Sequence, residues 1–277
     1  MRWFRFPFFA VAVAFGSSAC GPQVPNSAAV PASNCQPLPG TSASSAVPTV
    51  ANGTPLLAEP LQSPTSAVRL SFAAPELGEQ IPLTALGEFQ VKLAFDAAGV
   101  EGARIEVALD GGRPRRLTAP LPTIALSQLL AADAELRPGA HWLFAAPVLS
   151  SGLVPRGAAG APRTAVARRF FVGKREASDS GPTGALWLRQ PEGTYNGQAA
   201  AQAVLFDVYV FSATGAPQDL PYTVALHGPS VSGELRFPSP FSVHDVPSGD
   251  YGVLVSAATA TPVSARFTVN RELGGAP

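Results

Sequence analysis

Three regimes of apolar and polar positions divide this chain. Residues 6–15 form a short apolar run of about ten residues. From Gly21 to about Thr65, Pro, Ser, Ala, Thr, Asn and Gln alternate without any period, and Glu59 is the only charge. Beyond that, short apolar stretches alternate with polar residues at period two. Phe89-Gln90-Val91-Lys92-Leu93-Ala94-Phe95 does so strictly and Val204-Leu205-Phe206-Asp207-Val208-Tyr209-Val210 less strictly, the pattern of half-buried strands. Turn formers separate them: Asp110-Gly111-Gly112, His227-Gly228-Pro229 and Pro247-Ser248-Gly249-Asp250. One helix is predicted at Ser127–Asp133, where a capping Ser precedes good helix formers.

The strand-rich part repeats itself. Ile105-Glu106-Val107-Ala108-Leu109-Asp110-Gly111 matches Tyr222-Thr223-Val224-Ala225-Leu226-His227-Gly228 without a gap. Val68-Arg69-Leu70 with Pro75-Glu76 parallels Leu186-Trp187-Leu188 with Pro191-Glu192. Pro138-Gly139-Ala140-His141 parallels Ser248-Gly249-Asp250-Tyr251, and Arg169-Phe170-Phe171-Val172 parallels Arg266-Phe267-Thr268-Val269. The order is kept and the spacing drifts only by loop-sized amounts. With about six or seven strands per copy, an all-β chain of two tandem β-sandwiches is expected. The expected organisation is a leader over 1–19, a disordered tether over 20–65, one sandwich over 66–174, a linker over 175–183, a second sandwich over 184–272 and a tail over 273–277.

Two positive charges, Arg2 and Arg5, precede the apolar run, and Gly16-Ser17-Ser18-Ala19-Cys20 follows it. This is the layout of a secretory signal, too short to cross a bilayer as a helix. Ser17-Ser18-Ala19-Cys20 resembles the lipobox of bacterial lipoproteins, with Ser17 where that pattern prefers Leu. The resemblance implies cleavage before Cys20, acylation of its thiol and a permanent membrane anchor. The plainer alternative is an ordinary signal cleaved near Ala19, leaving Cys20 a thiol able to pair with Cys35. These are the two cysteines of the chain, so no disulfide staples the strand-rich region. A tether of some 45 residues would reach about 40 Å. Gly21 is not the Asp that retains enteric lipoproteins in the inner membrane, which points to the outer membrane.

Val246-Pro247-Ser248-Gly249-Asp250-Tyr251-Gly252-Val253-Leu254-Val255-Ser256-Ala257 resembles the penultimate strand of fibronectin type III and immunoglobulin-like domains. The resemblance implies that Tyr251, Val253 and Val255 point into a core and that the Tyr251 hydroxyl bonds nearby backbone. His141, Leu143 and Ala145 would be their mates in the first copy. As a whole the chain resembles Ig-like envelope lipoproteins of myxobacteria.

Charge and chemistry change this picture little. The 277 residues carry 19 basic and 19 acidic side chains, which argues against nucleic acid as a partner. All the basic residues except Lys92 and Lys174 are arginine. His141, His227 and His244 have no metal-ligand spacing, no G-x-S-x-G elbow occurs, and no cofactor motif is found. No catalytic or metal residues are therefore assigned. Asp207 lies in an apolar strand and is read as a strand end or a turn cap. Gly111–Arg116 is a basic hairpin loop, and contact with an acidic polymer or a lipid phosphate is its functional alternative. Leu153-Val154-Pro155-Arg156-Gly157 coincides with a thrombin recognition sequence in a loop expected to be exposed. Trp187, between two core-facing residues, should face away from its own core. With Tyr195 it is the candidate sugar platform, the alternative being a Trp covered by the tether or the neighbouring domain. The expected function is a non-catalytic binding or scaffold module on a lipid tether in the bacterial envelope, meeting an envelope protein or a polysaccharide. Carbohydrate binding through Trp187 and Tyr195 is the alternative, and a hydrolase ranks third.

Overall fold

In a computed structural model of the chain, the described residues are 49–50, 56–96, 103–117, 123–131, 134–157, 163–176, 184–229, 231–237 and 239–272. The expected signal segment, the lipobox-like sequence, Cys20, Cys35, most of the expected linker and the expected tail lie outside them. In chain order, β1 (Thr49–Val50) and β2 (Ala58–Pro60) come first. Next come β3 (Arg69–Ala74), β4 (Gln80–Ile81), β5 (Gln90–Asp96), β6 (Arg104–Leu109) and β7 (Arg115–Leu117). Then follow β8 (Thr123–Ala125), β9 (Gly139–Val148), β10 (Val166–Val172), β11 (Ala185–Gln190), β12 (Gly193–Asn196) and β13 (Ala203–Phe211). Last are β14 (Pro217–Gln218), β15 (Tyr222–His227), β16 (Val231–Phe237), β17 (Phe241–His244), β18 (Gly249–Ala257) and β19 (Ala260–Asn270).

The chain is built as all-β sandwiches. In the first, a sheet ordered β3-β5-β8 faces one ordered β4-β10-β9-β6-β7. Leu70, Phe72, Val91 and Leu93 from one sheet share a core with Ile105, Val107, Leu143 and Phe170 from the other. In the second, β11-β13-β17-β2, with β14 on β13, faces β1-β16-β15-β18-β19-β12. Leu186, Val204, Phe206 and Phe241 there meet Val224, Tyr251, Val253 and Phe267.

The copies correspond strand by strand, with β3 matching β11, β6 matching β15, β9 matching β18 and β10 matching β19. In each, the first strand breaks register against its neighbour, after Phe72 and after Leu188. The chain then passes to the opposite sheet, where a short strand runs parallel to the last one, β4 on β10 and β12 on β19. The Tyr251 hydroxyl donates to the Pro247 carbonyl at 2.8 Å, four residues back. Tyr251, Val253 and Val255 are buried, as the resemblance implies. In the first copy His141 does the same work. Its Nε2 lies 2.7 Å from the Arg137 carbonyl, again four residues back, and its Nδ1 lies 2.6 Å from Asp110.

Two expectations are corrected here. The predicted helix is a 3₁₀ turn, Leu126–Leu129, without a side-chain cap. A 3₁₀ turn eclipses positions three apart, so Leu126 and Leu129 enter the core together. The tether does not extend to residue 65. Leu56 is buried in the second sandwich's core, and β2 pairs with β17 in the register Ala58↔Val243, Glu59↔Ser242, Pro60↔Phe241. Residues 56–60 thus form a strap on the second sandwich before the chain enters the first. The segment is short and flanked by prolines, and its partner lies at the far end of the sequence. No local periodicity could reveal it.

Candidate binding cleft where the sandwiches meet

Both sandwiches fall within one compact unit, and the reason lies in strands that are apolar on both faces. Along β11, Leu186 and Leu188 face their own core, while Ala185, Trp187 and Arg189 point the other way. Along β13, Val204, Phe206, Val208 and Val210 face the core, which turns Leu205, Asp207, Tyr209 and Phe211 outward. The outer face of the first sandwich's larger sheet covers them. Ala108 of β6, Phe144, Ala146 and Val148 of β9, Val154, Ala165 and Ala167 join Ala185, Trp187, Tyr209 and Phe211 in a third buried cluster. Phe144 stacks on Trp187 with ring centroids 5.6 Å apart and planes at 17°. At one edge Ala167 N–H donates to the Gly215 carbonyl at 3.0 Å. A Cβ on Gly215 would stand 1.9 Å from Ala167 O, and its φ is +82°; only glycine allows that approach.

Charges are buried in the same junction. Arg189 donates from Nε to Asp207 Oδ2 at 2.6 Å, from Nη1 to Glu106 Oε2 at 2.9 Å and from Nη2 to the Gly152 carbonyl at 2.6 Å. Arg163 donates to Asp207 Oδ1 and to the Val208 carbonyl, with its guanidinium 4.0 Å from the Tyr209 ring centroid. The Tyr209 hydroxyl donates to Asp207 Oδ2 at 3.1 Å. Arg116 closes the chain from the surface, its Nε 3.1 Å from Glu106 Oε1. Arginine and carboxylate therefore alternate from Arg116 through Glu106, Arg189 and Asp207 to Arg163. Burial acts to lower the Arg189 pKa, but Asp207, Tyr209 and Glu106 outweigh it and hold the guanidinium above its ordinary value. Burial first, then the Asp207 carboxylate, pushes the Tyr209 hydroxyl up, so it remains a donor.

Asp207 thus neither ends a strand nor caps a turn. It sits inside β13 with 1% of its surface exposed, and its charge is balanced by arginines brought from 18 and 44 residues earlier.

Where the network reaches solvent it opens into a cleft of about 220 Å³. Glu106 and Arg189 form its base. Arg104, Arg116, Ser150 and Gln190 line it beside Val148 and Leu205. Alternation puts Arg104, Glu106 and Ala108 on one face of β6, and Arg116 lies opposite Glu106 on β7. Both Glu106 oxygens are already bonded to arginines. What the cleft presents to solvent is hydrogen-bond donors. Glu192 lies close by, its buried Oε2 3.9 Å from Arg113 Nε. Burial pushes its carboxyl up, with Arg113 acting in the opposite direction.

The structure removes the proposed sugar platform. Trp187 does face away from its own core, but Phe144 of the first sandwich covers it and leaves it no exposed surface. Tyr195 is elsewhere and half-buried, edge-on to Phe267 at 5.9 Å, with its hydroxyl donating to Gln190 Oε1 at 3.0 Å. Burial pushes its hydroxyl pKa up to about 12. No group of three or more His, Cys, Asp or Glu side chains able to hold a metal occurs among the described residues. The basic hairpin loop is the element that delivers Arg116 to the cleft. The Leu153–Gly157 segment is not an exposed loop: Val154 is buried, and Arg156 N–H donates to Pro64 O at 2.8 Å while its side chain pairs with Asp219 at 3.6 Å. The folded chain is therefore expected to resist thrombin at Arg156 and to be cut there only after denaturation, as read by gel mobility.

No protein-family model and no curated protein matches the chain. Among solved structures, it is similar to the fibronectin(III)-like modules of Clostridium thermocellum CbhA. The identity is 16% over 73% of this chain and 94% of that one, with a TM-score of 0.25. The N-terminal Ig1-2 module of the Drosophila receptor protein tyrosine phosphatase DLAR aligns at 10% identity over 73% and 98% of the two chains, with a TM-score of 0.23. A 1.5-MDa bacterial ice-binding adhesin aligns at 13% identity over 75% of this chain and 66% of that one, also with a TM-score of 0.23.

Proposed function

We propose that this chain is a bacterial envelope lipoprotein, anchored through Cys20, whose fused sandwiches act as a non-catalytic binding or scaffold module. One observation carries the functional part. The ionisable groups gathered at the junction are bonded to each other, and what remains turned to solvent is a small cleft rich in donors. Both oxygens of Asp207 and of Glu106 accept from arginine, so neither carboxylate is placed to take a proton from a substrate. A shared core between the sandwiches supports display of a fixed surface in preference to a hinge. The anchor rests on the Ser17–Cys20 lipobox-like sequence. No helix among the described residues is long and apolar enough to cross a membrane.

The partner is then an envelope protein or a polysaccharide at the outer membrane. The anchor is tested in cells fed a labelled fatty acid, comparing wild type with Cys20→Ala. Label on the wild type, absent from a variant released to the soluble fraction, is the expected result. An unlabelled, soluble wild type would overturn the anchor and return Cys20 and Cys35 to the list of disulfide candidates.

A further inference from the structure

We propose that the junction cleft binds the carboxylate of an acidic sugar residue, with Arg104 and Arg116 holding the anion and Gln190 and Ser150 meeting the sugar hydroxyls. This rests on the reading of the chain as a binding module and gives that module its ligand.

The argument begins with sheet register. Arg104 and Arg116 project from the same face of neighbouring strands on a diagonal, since Glu106, two residues from Arg104, is the residue opposite Arg116. Such diagonal side chains lie about 7–8 Å apart at their bases, within reach of one group for a side chain as long as arginine. Among the described residues, no side chain accepts a hydrogen bond from Arg104. Arg116 uses only Nε, on Glu106, which leaves both its terminal nitrogens free to donate. Guanidinium groups arranged this way match the planar, two-oxygen geometry of a carboxylate.

Charge agrees with geometry. Arg104, Arg116, Arg163 and Arg189 surround only the carboxylates of Glu106 and Asp207. The Arg113–Glu192 pair at the edge adds no net charge. A local positive excess thus persists in a chain that is neutral as a whole. The remaining lining points to a sugar more than to a bare ion. Gln190 accepts from Tyr195 through Oε1, which leaves its amide NH₂ to donate. Ser150 adds a hydroxyl, and Val148 and Leu205 add an apolar wall for a ring face. The cleft, at about 220 Å³, is smaller than the roughly 300–1,000 Å³ of sites for drug-sized ligands. It suits one sugar residue of a longer chain.

The test titrates the full-length protein calorimetrically with glucuronate, inorganic phosphate, sulfate and neutral glucose. Retention on immobilised polygalacturonate is measured beside it. Glucuronate should bind while glucose does not, and salt should weaken the binding. Arg104→Gln and Arg116→Gln should each weaken it by about tenfold or more. Arg104→Gln breaks no ion pair among the described residues and should leave thermal unfolding unchanged, whereas Arg116→Gln also takes a partner from Glu106, so Arg104→Gln is the variant that separates binding from stability. Arg236→Gln, at an exposed position of β16, should bind as wild type does. Binding of phosphate or sulfate without glucuronate or polygalacturonate would overturn the sugar assignment. Wild-type affinity in both cleft variants would overturn the site. If no anion binds but cross-linking in cells still captures an envelope component, the site fails and the binding-module reading survives. If neither is seen, both fail.

Discussion

Asp207→Asn is expected to lower the unfolding free energy by about 3–5 kcal/mol, the range for leaving a buried ion partner unpaired. Asparagine keeps the volume and one acceptor oxygen, so the change isolates the charge. One of the two arginines would keep the asparagine oxygen as a neutral acceptor; beyond that, Arg189 would retain Glu106 and the Gly152 carbonyl, and Arg163 the Val208 carbonyl. Both guanidiniums are almost completely buried and would hold charge that water cannot reach. Urea unfolding of the variant beside wild type measures the loss. A change below about 1 kcal/mol would mean that the network is solvated after all. A useful contrast is the quadruple replacement Glu106→Gln, Arg163→Met, Arg189→Met and Asp207→Leu. It removes the buried charges together and should recover much of the loss, because a desolvated network is not intrinsically more stable than good apolar packing.

Trp187→Ala should cost a similar amount, about 3–5 kcal/mol, by opening a cavity between sheets that cannot collapse onto it. The indole lies among Phe144, Tyr209 and the alanines of the facing sheet. Trp187→Phe makes a sharper comparison. Trp187 Nε1 is buried without a hydrogen-bond partner among the described residues, so phenylalanine loses volume but also removes an unsatisfied donor. That should confine its cost to about 1 kcal/mol. Because the cavity lies in a core shared by both sandwiches, Trp187→Ala should lower one common thermal transition. Two separate transitions, with only one shifted, would show that the junction does not couple the sandwiches.

Much of the architecture was legible in the sequence because a strand with one wet face writes its burial as alternation. Gln90 to Phe95 carries it in the first copy and Tyr251 to Val255 in the second, and the Tyr251 corner is local enough to be read from twelve residues. The junction was hidden by the same rule. Alternation assumes that the second face meets water; it turns Trp187 away from its own core without deciding between solvent and the neighbouring sandwich that in fact covers it, and it makes Asp207 a strand end. A signal was available in the near-continuous apolar runs of β9, β11 and β13, which mark strands covered on both faces. The ion network could not be read from sequence. Glu106 and Arg189 are 83 residues apart, and nothing local distinguishes them from surface charges. The cleft was half-visible, since Arg116 belonged to a hairpin patch already noted for anions, while Arg104 and Gln190 became its neighbours only through folding.

The strap over residues 56–60 sets an order of events during synthesis. β2 leaves the ribosome early, yet its partner β17 is about 180 residues later, roughly 10–40 s at ordinary elongation rates. Within that interval the first sandwich can fold once β10 is made; until β11 and β13 follow, Phe144, Ala146 and Val148 have nothing to cover them, and until β17 follows β2 is an unmatched strand edge. A nascent chain at that stage is therefore sticky on one sheet face, the condition in which helper proteins are recruited or neighbouring chains pair wrongly. Covering that face requires β11 and β13, and seating the strap requires β17, so the earliest and latest stretches of the chain mature together.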